Sequence, residues 1–422
     1  MPGGSAPVDG RLVVLFAPDS FKGSLSSVAV ARALAAGWAR ARPHDELLLA
    51  PLADGGEGTL VAIEAAGGWS WRRSRVRDPL GREVEARWLV SAAGEEGAAG
   101  DEGAAGGERR AVVELAEASG LSRLASSERD PVRASTVGTG ELLRAVLDTG
   151  VRRIVLGIGG SATTDGGAGL LVALGARLRG PDGVVLAADG VPGAGGWPET
   201  MAALAEVDLA GLDPRLAELD LAVASDVENP LLGPTGAAAT YGPQKGATPE
   251  AVGALDAALG RWADRLEAAT GRRAREAPGA GAAGGVGFAL LCLADRFRSL
   301  RFEPGVELVM AETGFGAKLE AADLVVTGEG RIDAQTAFGK TAMGVARRAR
   351  TAGRAIVAVG GGVTREGIRD LAALGAVVVP VVEAPVSVAE AMAAGAGPVE
   401  RCGERIARLV SLGASLAVHS RS

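Results

Sequence analysis

Apolar runs of strand length alternate with helical patterns along almost the whole chain, and most runs end in a loop of glycine and polar residues. That rhythm marks a parallel sheet with helices packed on it. Residues 12–17 read as a buried strand, and 26–40 as a helix with Ser26 as its N-cap. A strand at 46–52, a glycine loop and a helix through residue 66 repeat the unit. The rhythm then changes. Residues 69–76 and 84–90 alternate in polarity about the turn DPLGR, which predicts antiparallel pairing. Further on, 153–158 runs into a Gly-rich loop and a helix at 169–178. A strand at 221–224 runs into SDVENP, and a long helix covers 249–269. After a Gly/Ala-rich bend at 278–287, strands at 324–327, 355–359 and 376–382 each precede a helical segment.

The expected fold class is α/β: a discontinuous Rossmann-like parallel-sheet domain, residues 1–75 and 300–422, with an inserted mixed α/β domain, 76–299. Residues 92–109 are glycine, alanine and acid almost throughout, and read as a disordered surface insertion. The net charge of −7 and the 3% aromatic content argue against a nucleic-acid partner. Two cysteines and two histidines leave little for a disulfide framework, a zinc site or a Ser-His-Asp triad. The N-terminus lacks the apolar core of a signal peptide, and no apolar run reaches the ~18 residues of a membrane span. A cytoplasmic protein without membrane contact is expected, with a homodimer left open.

The chemistry is signalled by residues the chain otherwise avoids. Its only lysines are Lys22, Lys245, Lys318 and Lys340, its one asparagine is Asn229, its one tyrosine is Tyr241, and its glutamines are Gln244 and Gln335. All but Lys318 fall in four short loops. An ammonium is a compact point charge and a guanidinium a planar fork, so a phosphate pocket can require the first and reject the second. In parallel α/β sheets, ligands bind at the carboxyl ends of strands. The first such loop offers Asp19, Ser20 and Lys22 ahead of a helix N-terminus. The second offers Asp54, Gly55, Gly56 and Glu57, two acids among glycines that suit Mg²⁺ or a substrate hydroxyl, or simply a capped turn.

The third, GIGGSATTDGG, has a degenerate dinucleotide-binding look, but a nest for phosphate or carboxylate made by Gly159, Gly160, Ser161 and Thr163 fits better. Asp165 within it is a candidate metal ligand or proton acceptor. GKT at 339–341 resembles the end of a P-loop, yet the first glycine that motif requires is Ala334. Glu329, Asp333, Gln335 and Lys340 still gather after a strand. Acids and ammonium groups on glycine loops are the parts of phosphoryl transfer: a metal site (Asp54, Glu57, Glu329), a phosphate clamp (Lys22, with Lys245 and Lys340 as further candidates) and a base. Asp226 is the first candidate for the base, beside Asn229, and Asp165 is its rival; Asp333 completes the catalytic set.

The segments APDSFKGSLSS, PLADGGEGT, GIGGSATTDGGAG, SDVENPLLGPTGA, YGPQKGAT and GEGRIDAQTAFGKTAMGVA, in this order, resemble the type I glycerate kinase family. The likeness runs from residue 12 onward over nearly the whole chain, and the combination is far more specific than any one glycine loop. The insertion at 92–109 and a loose AVGGGV at 358–363 depart from the family pattern. The resemblance implies two unlike α/β domains with a cleft between them, ATP and Mg²⁺ as cofactors, and phosphorylation of D-glycerate, favouring 2-phosphoglycerate; charged motifs in both domains add the expectation that the cleft closes. A glycerate 3-kinase, a nucleotide-dependent oxidoreductase and a metabolite sensor are the alternatives.

Overall fold

The computed structural model describes residues 10–92, 109–333 and 341–419. Most of the expected insertion, residues 93–108, lies outside the described residues, as do Ala334, Gln335 and Lys340. The chain is mixed α/β. Its strands are β1 (Val13–Pro18), β2 (Glu46–Leu49), β3 (Trp69–Arg77), β4 (Glu83–Ser91), β5 (Arg110–Glu114), β6 (Arg153–Gly157), β7 (Arg177–Arg179), β8 (Val185–Leu186), β9 (Glu206–Asp208), β10 (Asp220–Ala224), β11 (Ser299–Glu303), β12 (Leu324–Ile332), β13 (Ala355–Val363) and β14 (Val377–Pro380).

The chain divides into two compact units. The first takes the described residues of Met1–Asp54, Val61–Gly67 and Val306–Ser422; the second takes those of Gly55–Leu60 and Gly68–Gly305. Residues 55–60, 68–75 and 300–305, expected with the first unit, therefore belong to the second. For the last two the cause is strand pairing, since β3 is antiparallel to β4 over its whole length and β11 runs parallel to β10; for 55–60 it is close contact with the end of β6 and the loop after it.

The first unit holds a five-stranded sheet of order β14-β13-β12-β1-β2, parallel throughout. The strand at 324 lies directly beside the first strand, with Val14 opposite Leu324. Its core gathers Val14, Phe16, Leu34, Trp38, Val326, Val359 and Ile406, and each fully buried aliphatic or Phe side chain is worth about 1.5–3 kcal/mol. Phe16 meets Trp38 edge to face at 6.0 Å, the arrangement ring quadrupoles favour. The helix Ser27–Ala41 starts where expected, because the Ser26 hydroxyl accepts from the Ala29 amide at 3.2 Å.

The second unit holds a mixed six-stranded sheet, β11-β10-β6-β5-β4-β3, and a small antiparallel sheet, β8-β7-β9. In the larger sheet β11, β10, β6 and β5 are parallel, and β4 and β3 add antiparallel. The helix expected at 169–178 is shorter, Ala168–Ala173. Gly175 turns the chain at φ +106°, and β7 begins at Arg177. The expected strand at 46–52 likewise stops at Leu49, whereas β12 and β13 extend well past their apolar runs. Among the described residues no helix is long and apolar enough to cross a membrane.

Candidate active site

In the first unit the polar loops collect at the carboxyl ends of β1, β2 and β12. The Asp19 amide donates to the Gly328 carbonyl at 2.8 Å, and the Thr327 hydroxyl donates to the Ala17 carbonyl at 2.8 Å, so the ends of β1 and β12 are locked together. After Asp19 the chain makes a tight turn. Phe21 and Leu25 bridge, the Phe21 amide donates to the Leu25 carbonyl at 2.8 Å, and Lys22 stands at the tip. The Lys22 side chain is 78% exposed, and its ammonium donates to Asp54 Oδ2 at 3.1 Å. Three carboxylates, Asp54 first and then Asp19 and Glu329, hold the Lys22 pKa above its ordinary value against the opposing effect of burial.

Asp19 is buried. Its Oδ2 accepts from the Thr341 hydroxyl at 2.6 Å. Burial first, and then the charge of Asp54, push its carboxyl above the usual range. Glu329 is buried within β12. Asp333, just past β12, pairs with Arg331 at 3.0 Å. Asp19, Asp54 and Glu329 are thus brought within electrostatic reach of Lys22, with Ser20 in the same turn. Thr341 is a partner that the motif reading missed; it was visible only as the threonine after the GK of a failed P-loop.

In the second unit the glycines are demanded by contact. A Cβ on Gly157 would lie 2.5 Å from the Gly55 carbonyl oxygen, and one on Gly159 would lie 2.6 Å from the Gly56 Cα. The 55–56 loop is therefore pressed backbone to backbone against the loop that follows β6. Glu57 is exposed, and it belongs to this unit rather than to the Asp54 cluster. From Gly157 the chain runs through ten residues before the helix Ala168–Ala173. A dinucleotide fingerprint needs its glycines to open the helix directly, so that reading of GIGGSA does not fit. Among the described residues no hydrogen bond is donated by the amides of Gly159, Gly160 or Ser161. Amides arranged in this way suit an anion.

Below this loop lies a buried ammonium. Lys245 is 2% exposed, and its Nζ donates to Ser161 Oγ at 3.2 Å and to the Thr163 carbonyl at 2.5 Å. Burial pushes its pKa down to about 7, with Asp165 opposing. Lys245 thus braces the loop from inside rather than standing open to a ligand.

Asp165 is also interior. Its Oδ2 accepts from the Thr136 amide at 2.8 Å, the Thr136 hydroxyl at 2.7 Å and the Gly169 amide at 3.1 Å, and its Oδ1 accepts from the Gly167 amide at 3.1 Å. Burial raises its pKa, and these bonds act against that rise. Both oxygens hold the local backbone, an arrangement unsuited to a metal ligand or a proton acceptor.

Asp226 is exposed after β10, and its Oδ1 accepts from the Gly305 amide at 3.3 Å. Asn229 orders its own loop. Its amide donates to the Thr235 carbonyl at 2.7 Å, and its oxygen accepts from the Tyr241 hydroxyl at 2.8 Å. Glu114, at the end of β5, is an acid the sequence reading did not single out; its one signal was a charge closing the apolar run AVV.

The profile of the glycerate kinase family matches residues 14–411. The glycerate kinase of Halalkalibacterium halodurans is 42% identical over 348 residues, covering 82% of this chain and 85% of that protein. The glycerate kinase of Bacillus subtilis is 40% identical over 353 residues, covering 84% and 86%. The glycerate 2-kinase of Escherichia coli K12 is 38% identical over 351 residues, covering 83% and 85%. Among solved structures, the "putative glycerate kinase 2" of Salmonella typhimurium LT2 superposes with a TM-score of 0.78 at 38% identity, covering 96% of this chain and 100% of that one. The chain is an enzyme of the glycerate kinase family.

Proposed function

We propose that the enzyme transfers the γ-phosphoryl group of ATP to the 2-hydroxyl of D-glycerate, giving 2-phosphoglycerate. The observation that carries this reading is the Lys22 cluster. A solvated ammonium at a turn tip, ringed by Asp54, Asp19 and Glu329 at strand ends, has the makings of a clamp for a transferring phosphoryl group. The relative from Escherichia coli, a glycerate 2-kinase, supports the choice of hydroxyl. On this reading the parallel five-stranded unit is a Rossmann-like domain interrupted by the mixed one. The loop at 157–163 binds a phosphate or carboxylate through its amides, with Lys245 bracing it. Asp226 accepts the hydroxyl proton, since Asp165 has both oxygens committed to backbone donors.

Among the described residues no group of three or more His, Cys, Asp or Glu side chains is placed to hold a metal ion. Mg²⁺ arriving with ATP needs no such group, because it usually takes one or two carboxylates with waters and phosphates. Asp54 and Asp19 suit it: both are hard oxygen donors, and their mutual repulsion, which helps to raise the Asp19 pKa, is relieved by a divalent cation. Glu329, whose charge also reaches Lys22, is the alternative carboxylate for the same role rather than a third ligand. When bound, Mg²⁺ supplies charge neutralisation at the phosphate oxygens.

The direct test is ADP release on addition of D-glycerate, with the product identified by ³¹P NMR. No stimulation by D-glycerate would overturn the function. A 3-phosphoglycerate signal would overturn the choice of hydroxyl alone.

A further inference from the structure

Glu114 is the last residue of β5 and is 4% exposed. Its partner across the sheet is Gly157, where the 157–163 loop begins, and the next amide, Leu115, donates to the Gly157 carbonyl at 2.8 Å. The Glu114 side chain meets the other glycine loop, since its Oε1 accepts from the Leu60 amide at 2.7 Å. That N–H lies in the first turn of the helix Thr59–Ala65. The carboxyl therefore does the work of a capping side chain, supplied from a strand more than fifty residues away. The 55–56 loop is the same stretch that presses on Gly157 and Gly159. Glu114 thus stands where both loops are fixed.

A glutamine would accept the Leu60 hydrogen bond without carrying a charge into the interior. The surroundings make that charge unwelcome. Burial is the largest influence, the carboxylates of Glu117 and Glu57 repel it, and the Leu60 amide and the Arg87 guanidinium favour it; together they push its pKa up to about 7. Arg87 is itself taken by Glu117, at 2.7 Å. A buried acid kept where an amide would serve structurally points to a role for its proton.

We propose that Glu114 is a positioning residue that pins the 55–60 stretch beside the 157–163 loop and takes up a proton when an anion occupies that loop. The inference rests on the reading of that loop as the seat of a phosphate or carboxylate. Its direction follows from charge. A further anion joins Glu57 and Glu117 in disfavouring the ionised form. The proton comes from the buffer, and the only bond formed is the carboxyl O–H. The neutral acid keeps an oxygen for Leu60 and carries no negative charge beside the loops it joins.

The test is calorimetric titration of the wild type and Glu114→Gln with ATP and, separately, with D-glycerate. Each titration is run near neutral pH in two buffers of different ionisation enthalpy. The expected result, for at least one ligand, is that the wild type takes up more protons than the variant, by up to about half a proton near its pKa. Equal uptake by the two proteins for both ligands overturns the proton-linked role. The pinning is read separately by hydrogen exchange. The Leu60 amide should exchange about tenfold faster in Glu114→Ala, and unchanged exchange overturns it. Should Glu114→Ala not fold, the exchange is read in Glu114→Asp, whose shorter side chain draws back from Leu60. If neither ligand binds the wild type, the proposed function fails while the exchange arm still decides the pinning.

Discussion

Lys22 and Lys245 are the same residue type in opposite settings. Lys22 stands 78% exposed at a turn tip, and neighbouring carboxylates hold its pKa up. Lys245 is 2% exposed, and burial brings its pKa down to about 7. The acids divide in the same way: Asp226 is exposed after a strand end, whereas Asp165 is interior with four donors on its oxygens. Reachable groups can meet a ligand. Interior groups hold the loops on which ligands would sit, and their charge depends on pH. On the proposed function, where a residue sits relative to water decides its role more firmly than its rarity does.

The contrast can be broken, beginning with the largest effect. Excess EDTA should abolish turnover, and added Mg²⁺ should restore it, because the Asp54 and Asp19 cluster then lacks its cation; turnover that persists in EDTA removes the metal from the reading. Asp226→Asn should bind ATP almost normally and lose about 10²–10⁴-fold in turnover. Asp165→Asn should mainly lose stability, by about 1–3 kcal/mol, since an amide N–H₂ would face donors. If instead Asp226→Asn stays active and Asp165→Asn is folded but dead, the two acids exchange roles. Lys22→Met should cost about 10²-fold in turnover with an unchanged melting temperature. More than half of wild-type activity in that variant would show that Lys22 is not the clamp.

The smallest effect is a pH dependence of stability. Lys245 binds its proton less tightly folded than unfolded, so between about pH 7 and its ordinary value of 10.5 the unfolded chain carries more protons. Its contribution to stability therefore rises with pH across that window. Relative to Lys245→Met, the wild type should gain a few degrees in melting temperature from about pH 7 to pH 9. A difference independent of pH would show that the ammonium is not buried as described.

Much of the fold was legible because apolar periodicity is local. The pattern of 12–17 and 324–327 announced buried strands, and they lie side by side. The helix start at Ser26 was legible for the same reason, since a cap acts over three residues. The end of the helix after Ala173 was not, because it depends on a glycine entering the left-handed region. In the candidate site the motifs marked Lys22, Asp54 and Ser161 but not their exposure. The Lys245 ammonium meets Ser161 across 84 residues of chain, and no spacing rule carries that. Glu114 was hidden for the converse reason. It ends an apolar strand, and only the approach of Leu60 reveals what its carboxyl holds.

The adjacency of β1 and β12 also bears on how the protein is made. The hydrogen bond from Thr327 to Ala17 spans 310 residues of sequence, and the whole of the second unit lies between them. On the ribosome, β1 emerges first but has no partner on its β12 side until three-quarters of the chain has been synthesised. The second unit can complete its core in the meantime, while an apolar strand edge waits in a nascent chain. Such an edge invites pairing with the wrong neighbour, so truncated products ending before β12 should be the aggregation-prone species in expression.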